Sequence, residues 1–292
     1  MKRILLPLFI LINIFCFARG KETGNNHSLI WRISGKDLPH ASYLFGTMHV
    51  ICSDKYLWTA PMAACLDSSR AICLEMNLND PNVMTKVATA MINTNGATLD
   101  AFFTSQQYNQ LKKYVKDSLG MDMDLLGHMN LVGLGTMLSL GGTSGCKEQV
   151  SYEEKLMSAA NDAHKEITGL EEPEEQIALL NKIPADSLVR DIMDIVTGKA
   201  SGTDDYDKLV AAYTTQDLPK LYYMMKDENT GISDLNAFLD ERNKKWISRM
   251  AGKMKQQPVF FAVGAGHLWG PNGIISLLKK AGYTVTPVLQ AN

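Results

Sequence analysis

Tyr43-Leu44-Phe45-Gly46-Thr47-Met48-His49 and Val259-Phe260-Phe261-Ala262-Val263-Gly264-Ala265-Gly266-His267 share one layout: an apolar β-like run, a glycine, and an imidazole three residues after it. Unbroken apolar runs are the pattern of strands covered on both faces, and open α/β sheets take their ligands at the carboxyl ends of such strands. Each run therefore delivers a titratable, metal-competent side chain to the mouth of a sheet. Their separation by most of the chain points to one crevice built from both halves. Gly24-Asn25-Asn26-His27 fits the same spacing but lacks the upstream strand and lies in a polar stretch expected to be poorly ordered. Taken singly, either histidine reads equally well as a hydrogen-bonded residue at a strand end.

Working outward, residues 29–33 read as a strand with Arg32 as its one polar residue, break at Ser34-Gly35-Lys36-Asp37, and the strand pattern resumes at 41–49, which predicts a β-hairpin. A helix is expected over 60–69, starting near Pro61, then a short strand over 71–76 that ends with Glu75. Helical spacing covers 84–91, 105–119 and 131–140, and Gly141-Gly142-Thr143-Ser144-Gly145 interrupts it as a loop. Ser151, three residues before Glu154, opens a helix to 163 with a capping-box pattern. Residues 165–171 supply another strand ending on a carboxylate, Glu171, and Glu172-Pro173-Glu174-Glu175 starts a helix whose acids suit the positive end of its dipole. Further helices are expected over 174–182, 185–197, 206–214, 218–226 and 235–254, the last carrying Glu241, Arg242 and Asn243. The strand 259–263, a helix 273–281 and a strand 283–288 close the chain in an order that permits a parallel crossover.

Lys2 and Arg3, the apolar run 4–17 and the small residues Ala18 and Gly20 read as an export signal over 1–20, followed by a polar lead over 21–28. That run is shorter than the ~20 residues of a membrane span. Periplasmic or extracellular residence follows, with a membrane tether only where Cys16 is lipidated, a minority reading because bulky Phe15 precedes it. The remaining cysteines, Cys52, Cys65, Cys73 and Cys146, allow three pairings, and an exported context permits disulfides. Cys52 follows His49 closely and Cys146 borders the Gly-rich loop, which favours Cys52 with Cys146. The formal charge of −2 and the lack of a basic stripe exclude nucleic acid as a partner. The sixteen methionines are scattered, as core filling requires.

Four predicted strand ends carry groups able to bind metal or move protons: His49, Glu75, Glu171 and His267. On one sheet edge they would suit a divalent ion, with manganese, cobalt or zinc as candidates. Such an ion polarises a carbonyl and acidifies water, and a carboxylate serves as general base. The bland alternatives are that Glu75 is the first polar residue past a strand, Glu171 part of a solvated acidic run, and Arg242 an ordinary ion-pair arginine. G-x-S-x-G and H-E-x-x-H are missing, and Gly264-Ala265-Gly266 lacks the third glycine of a dinucleotide site.

The ordered set Leu44-Phe45-Gly46-Thr47-Met48-His49, Leu74-Glu75, Gly169-Leu170-Glu171, Arg242-Asn243 and Val263-Gly264-Ala265-Gly266-His267 resembles the TraB/GumN family, which includes the Tiki-type membrane-tethered proteases. The resemblance runs from about Trp31 to Val288. It implies an α/β fold of two similar halves around a central cleft with a helix-rich middle, one domain over 29–292 with its halves at about 29–145 and 146–292. For the Tiki-type members it implies metal-dependent peptide hydrolysis. Carried over, His49, His267 and Glu75 are metal ligands, Glu75 and Glu171 ligand or base, Arg242 and Asn243 positioners, and Gly46, Gly264 and Gly266 structural turn residues. The chain departs from the family pattern at Val150-Ser151-Tyr152-Glu153 and at His128-Met129-Asn130, segments that bear on substrate choice. Two functions follow: a hydrolase of peptides or small molecules, or a non-catalytic envelope module that binds a ligand in the same cleft.

Overall fold

The computed structural model describes residues 27–93, 96–141, 146–199, 202–226 and 239–289. The export signal with Cys16, the polar lead up to Asn26 and residues 142–145 of the Gly-rich loop lie outside them.

The chain is α/β. Its strands are β1 (Ile30–Ser34), β2 (Ser42–Thr47), β3 (Ile51–Cys52), β4 (Ala71–Leu74), β5 (Gln149–Val150), β6 (Glu166–Gly169), β7 (Val259–Gly264) and β8 (Thr284–Pro287). Six form one sheet in the order β6-β4-β7-β2-β1-β8, so the late strand β7 sits between the early strands β4 and β2, and the last strand β8 beside the first. The hairpin β1–β2 is antiparallel, whereas β2–β7, β7–β4 and β4–β6 are parallel. Because β8 pairs antiparallel with β1, it runs in the direction of β7 and completes the expected crossover with β2 and β1 between the two strands. Burial explains the composition: β4 is buried at every position and β7 at all but its last, so both read as continuous apolar runs.

The helices are α1 (Ala60–Asp67), α2 (Pro81–Ala90), α3 (Ser105–Leu119), α4 (Leu131–Gly141), α5 (Tyr152–Asp162), α6 (Pro173–Leu180), α7 (Ala185–Val196), α8 (Gly202–Thr214), α9 (Leu218–Lys226), α10 (Glu241–Gln256) and α11 (Ile274–Lys280). Proline opens or nearly opens α1, α2 and α6, where its missing N–H costs nothing. On α10, Arg242, Asn243, Trp246, Met250 and Met254 recur on one buried face. Each of the three apolar members contributes about 1.5–3 kcal/mol of burial and anchors the polar pair above them.

Two hydrophobic cores result. The larger surrounds the sheet and gathers Phe45, Phe260, Phe261, Tyr152, Tyr213 and Trp246. The smaller is helical, built from Leu99, Leu111, Leu134, Leu138 and Ile192 on the segment around α3, α4 and α7. A two-residue ladder, Ile51↔Val150 and Cys52↔Gln149, ties the segment after β2 to the segment before α5. The Cys52–Cys146 disulfide closes beside it, the pairing favoured from sequence. Cys65 and Cys73 are buried free thiols.

Candidate active site

Because β6, β4, β7 and β2 lie side by side and parallel, their carboxyl ends fall on one edge. Thr47 is level with Gly264 and Leu74 with Gly169. The Glu75 carbonyl accepts from the N–H groups of Leu170 (3.0 Å) and Glu171 (2.9 Å), which locks the two glutamate-bearing ends together.

Close backbone approach, more than turn formation, accounts for Gly46. Gly46 lies inside β2, where a Cβ would meet Leu268 Cδ2 at 3.0 Å and Ala265 Cα at 3.1 Å. Gly264 is the last residue of β7, and its N–H donates to Glu75 Oε1 at 2.8 Å. Gly266 lies in the 3-10 turn Ala265–His267 that swings the imidazole inward.

Five of the sequence-derived residues meet in one buried cluster. Arg242 is its hub. Its Nη2 donates to Glu75 Oε2 at 2.5 Å and to Glu171 Oε1 at 2.6 Å, while Nε reaches both Glu171 oxygens at 3.1 and 3.2 Å. Nη1 lies 3.2 Å from His267 Nε2, and the guanidinium stacks 4.6 Å from the Trp246 ring centre. Trp246 also donates from Nε1 to Glu171 Oε2 at 3.2 Å and packs against the His267 ring at 4.5 Å. Asn243 fixes the imidazole: its Oδ1 is 2.7 Å from His267 Nδ1, and its Nδ2 donates to the Asn272 and His267 carbonyls. With Nδ1–H given to Asn243, Nε2 carries the lone pair.

His49 stands apart at the mouth. Its Nδ1 is 3.1 Å from Glu153 Oε1, and its side chain is 68% exposed. Thr47 donates to the same oxygen at 2.8 Å, and Ser151, the cap of α5, donates to Glu153 Oε2 at 3.3 Å. Glu153 and Trp246 are site residues that sequence reading passed over. The Ser151-x-x-Glu154 cap marked the start of α5 and so placed Glu153 in its first turn, where a helix favours a carboxylate. Trp246 follows Arg242 by one helical turn.

Electrostatics divide the cluster. Burial alone would raise the Glu75 carboxyl, but the charges of protonated His267, Arg242 and His49, with the Gly264 N–H, hold it near 2. Burial pushes His267 down to about 3, so its ring is neutral at pH 7 and Arg242 is the lasting counter-charge. Glu171 is raised by burial in spite of Arg242, and Glu153 is lowered, its bonds to His49 and Thr47 outweighing burial. His49 rises to about 9 through its bond to Glu153. Since the ring is mostly exposed, water screens that pair and its weight in stability is small.

The donors fit a divalent ion in chemistry. Each imidazole has its Nδ1 facing an oxygen and its Nε2 turned away from it, an orientation common to metal-binding histidines, although His49, raised to about 9, must give up its Nε2 proton to serve as a ligand at pH 7. His267 Nε2 and Glu75 Oε1 are 3.8 Å apart, within the span of two ligands each about 2.1 Å from one ion. Among the described residues no three His, Cys, Asp or Glu side chains are drawn together around one point, and the Arg242 Nη1 contact with His267 Nε2 must open before an ion is held there.

A parallel-edge site of imidazoles and carboxylates on a mixed sheet defines an α/β protein whose polar centre is assembled from distant strand ends. The chain belongs to the TraB/PrgY/gumN family, whose model matches residues 29–287. It is 25% identical to a protein called Metalloprotease TIKI homolog from Amphimedon queenslandica over 97% of this chain, and 22% identical to Metalloprotease TIKI2 from Danio rerio over 89%. The chain spans 66% and 60% of those relatives' lengths. No solved structure matches it. Among the described residues no helix is long and apolar enough to cross a membrane.

Proposed function

We propose that this chain is an exported, metal-dependent peptidase whose ion is held by His49, Glu75 and His267. The observation that carries the reading is the matched orientation of the two imidazoles, each with Nδ1 facing an oxygen, of Glu153 or Asn243, and Nε2 turned away from it; the Arg242 Nη1 contact on His267 and the Nε2 proton on His49 give way when an ion takes their place. The names of the relatives support the same class, and the disulfide suits an exported chain. When bound, the ion supplies Lewis acidity toward a peptide carbonyl and lowers the pKa of water. Glu153 is ionised and 12% exposed at the mouth, so its Oε2 is the carboxylate placed to take a proton from water. Arg242 holds Glu75 ionised, and Glu171, bound by both Arg242 and Trp246, positions the guanidinium. Elemental analysis of the exported protein tests this reading: about one divalent ion per chain is expected, lost in His49→Ala/His267→Ala. Equal metal content in both proteins overturns it.

One observation favours a second reading, a non-catalytic ligand-binding module. Among the described residues no buried side-chain nitrogen or oxygen lacks a partner, so the Arg242 cluster is internally satisfied without an ion. On this reading the purified chain carries no metal and cleaves no peptide, yet the double variant still loses stability.

A further inference from the structure

A groove lies away from the Arg242 cluster, along the seam where α2 and α6 meet the smaller helical core. It consists of a cavity of about 580 Å3 and a neighbour of about 190 Å3, and both are lined by Asn93, Asn130 and Asn181. The larger depression is an open trough, of a shape that suits an extended ligand more than a compact one, and seams between packed units are where binding sites form. Its two walls issue from the candidate active site. α2 begins six residues after Glu75 and α6 two residues after Glu171.

The lining has a definite chemistry. Lys86 Nζ and Glu174 Oε1 pair at 2.7 Å across the two helices, so the only charges on the larger cavity's wall among the described residues cancel. Thr85 and Thr89 give their hydroxyl hydrogens to their own helix, to Pro81 O and Thr85 O, and keep acceptor oxygens. Asn93 gives one Nδ2 hydrogen to Met129 O and keeps the other together with Oδ1, and Asn130 is held on both sides by Ala90 O and the Gly133 N–H. Asn181 is exposed and its side-chain amide has no protein partner among the described residues, so it offers a donor and an acceptor. Ile92, 49% exposed, adds apolar surface. The wall therefore wants a neutral ligand that brings N–H donors at intervals with apolar groups between them.

We propose that this groove binds an extended, uncharged stretch of peptide, with Asn93 and Asn181 reading its main-chain amides, and that it fixes which substrates are presented to the strand-end site. The proposal rests on the peptidase reading for the class of ligand. The test measures binding by the full chain, with chelator present, so that cleavage does not enter. The probe is a fluorescein-labelled pool of ten-residue peptides of randomised uncharged sequence, followed by fluorescence anisotropy. Saturable binding is expected, weakened about tenfold or more by Asn181→Trp and by Thr89→Trp, which fill the groove from exposed positions. Thermal melts of both tryptophan variants show that they are folded. Absence of saturable binding, an affinity in both tryptophan variants equal to that of the parent, or competition by the hexasaccharide of N-acetylglucosamine in place of unlabelled peptide overturns the proposal. Binding in the groove with no metal and no cleavage sinks the peptidase reading and leaves the groove standing.

Discussion

His267 Nδ1 lies 2.7 Å from Asn243 Oδ1, and that single bond decides which ring nitrogen faces Glu75 and Arg242. Asn243 is itself held by the Asn272 carbonyl at 2.9 Å, so its amide cannot flip without losing a second bond. In Asn243→Ala the imidazole is free to rotate and a buried ring N–H loses its acceptor. A stability loss of about 1–3 kcal/mol is expected by urea denaturation. On the peptidase reading, zinc or manganese affinity measured by calorimetry falls about 10–100-fold. An unchanged affinity removes Asn243 as the residue that orients His267.

Arg242 is the counter-ion of two buried carboxylates, and its removal strands both. Arg242→Met is expected to lose about 3–5 kcal/mol, read from the urea midpoint at constant slope. Adding Glu171→Gln removes one stranded charge and recovers part of the loss. A single variant within 1 kcal/mol of the parent, with about that value as the ceiling of an exposed pair, would show that the cluster is far wetter than its burial.

Stability should fall on acidification in two overlapping steps. His267 has its pKa lowered from 6.5 to about 3 by burial, so below pH 6.5 the unfolded chain takes up a proton that the fold refuses. The unfolded state then binds more protons, and stability declines as pH drops from 6.5 toward 3. Glu75, lowered from 4.5 to about 2, contributes stability that is complete above 4.5 and lost as pH falls through 2. On the alkaline side His49, raised to about 9, contributes below 6.5 and loses that contribution as pH rises through 9, weakly because the ring is exposed. Chemical denaturation from pH 3 to 9 checks the signs. His267→Gln should flatten the limb between 6.5 and 3, and an unchanged limb there contradicts the assignment.

The α/β class was legible because β4 and β7 are covered on both faces and therefore read as unbroken apolar runs, and because glycine and histidine punctuate the ends of β2 and β7. The meeting of Glu75, Glu171 and His267 was foreseeable from strand-end position alone. Their partner was less so, since nothing local tells a buried hub such as Arg242 from a surface ion pair; the difference lies in Trp246, Met250 and Met254 burying the same helix face. Sequence placed His49 with the other ligands, whereas the nearest carboxylate to its ring is Glu153, more than a hundred residues away. That contact depends on the two-residue ladder β3–β5, too short to leave a periodic signal.

The same ladder sets the last prediction. Cys52 lies three residues after His49 and Cys146 seven before Glu153, so the disulfide and the pairs Ile51↔Val150 and Cys52↔Gln149 clamp the two halves of the His49–Glu153 contact. The cross-link closes a loop of sequence separation 94, and a bridge over so long a loop restrains the unfolded chain strongly. Cys52→Ser/Cys146→Ser is expected to lose about 2–5 kcal/mol of stability. Amide hydrogen exchange is expected to quicken first over residues 47–53 and 147–153, while β4 and β7 at the sheet centre stay protected. Exchange that quickens uniformly across the sheet would mean that the bridge stabilises the fold as a whole and does not hold His49 against Glu153.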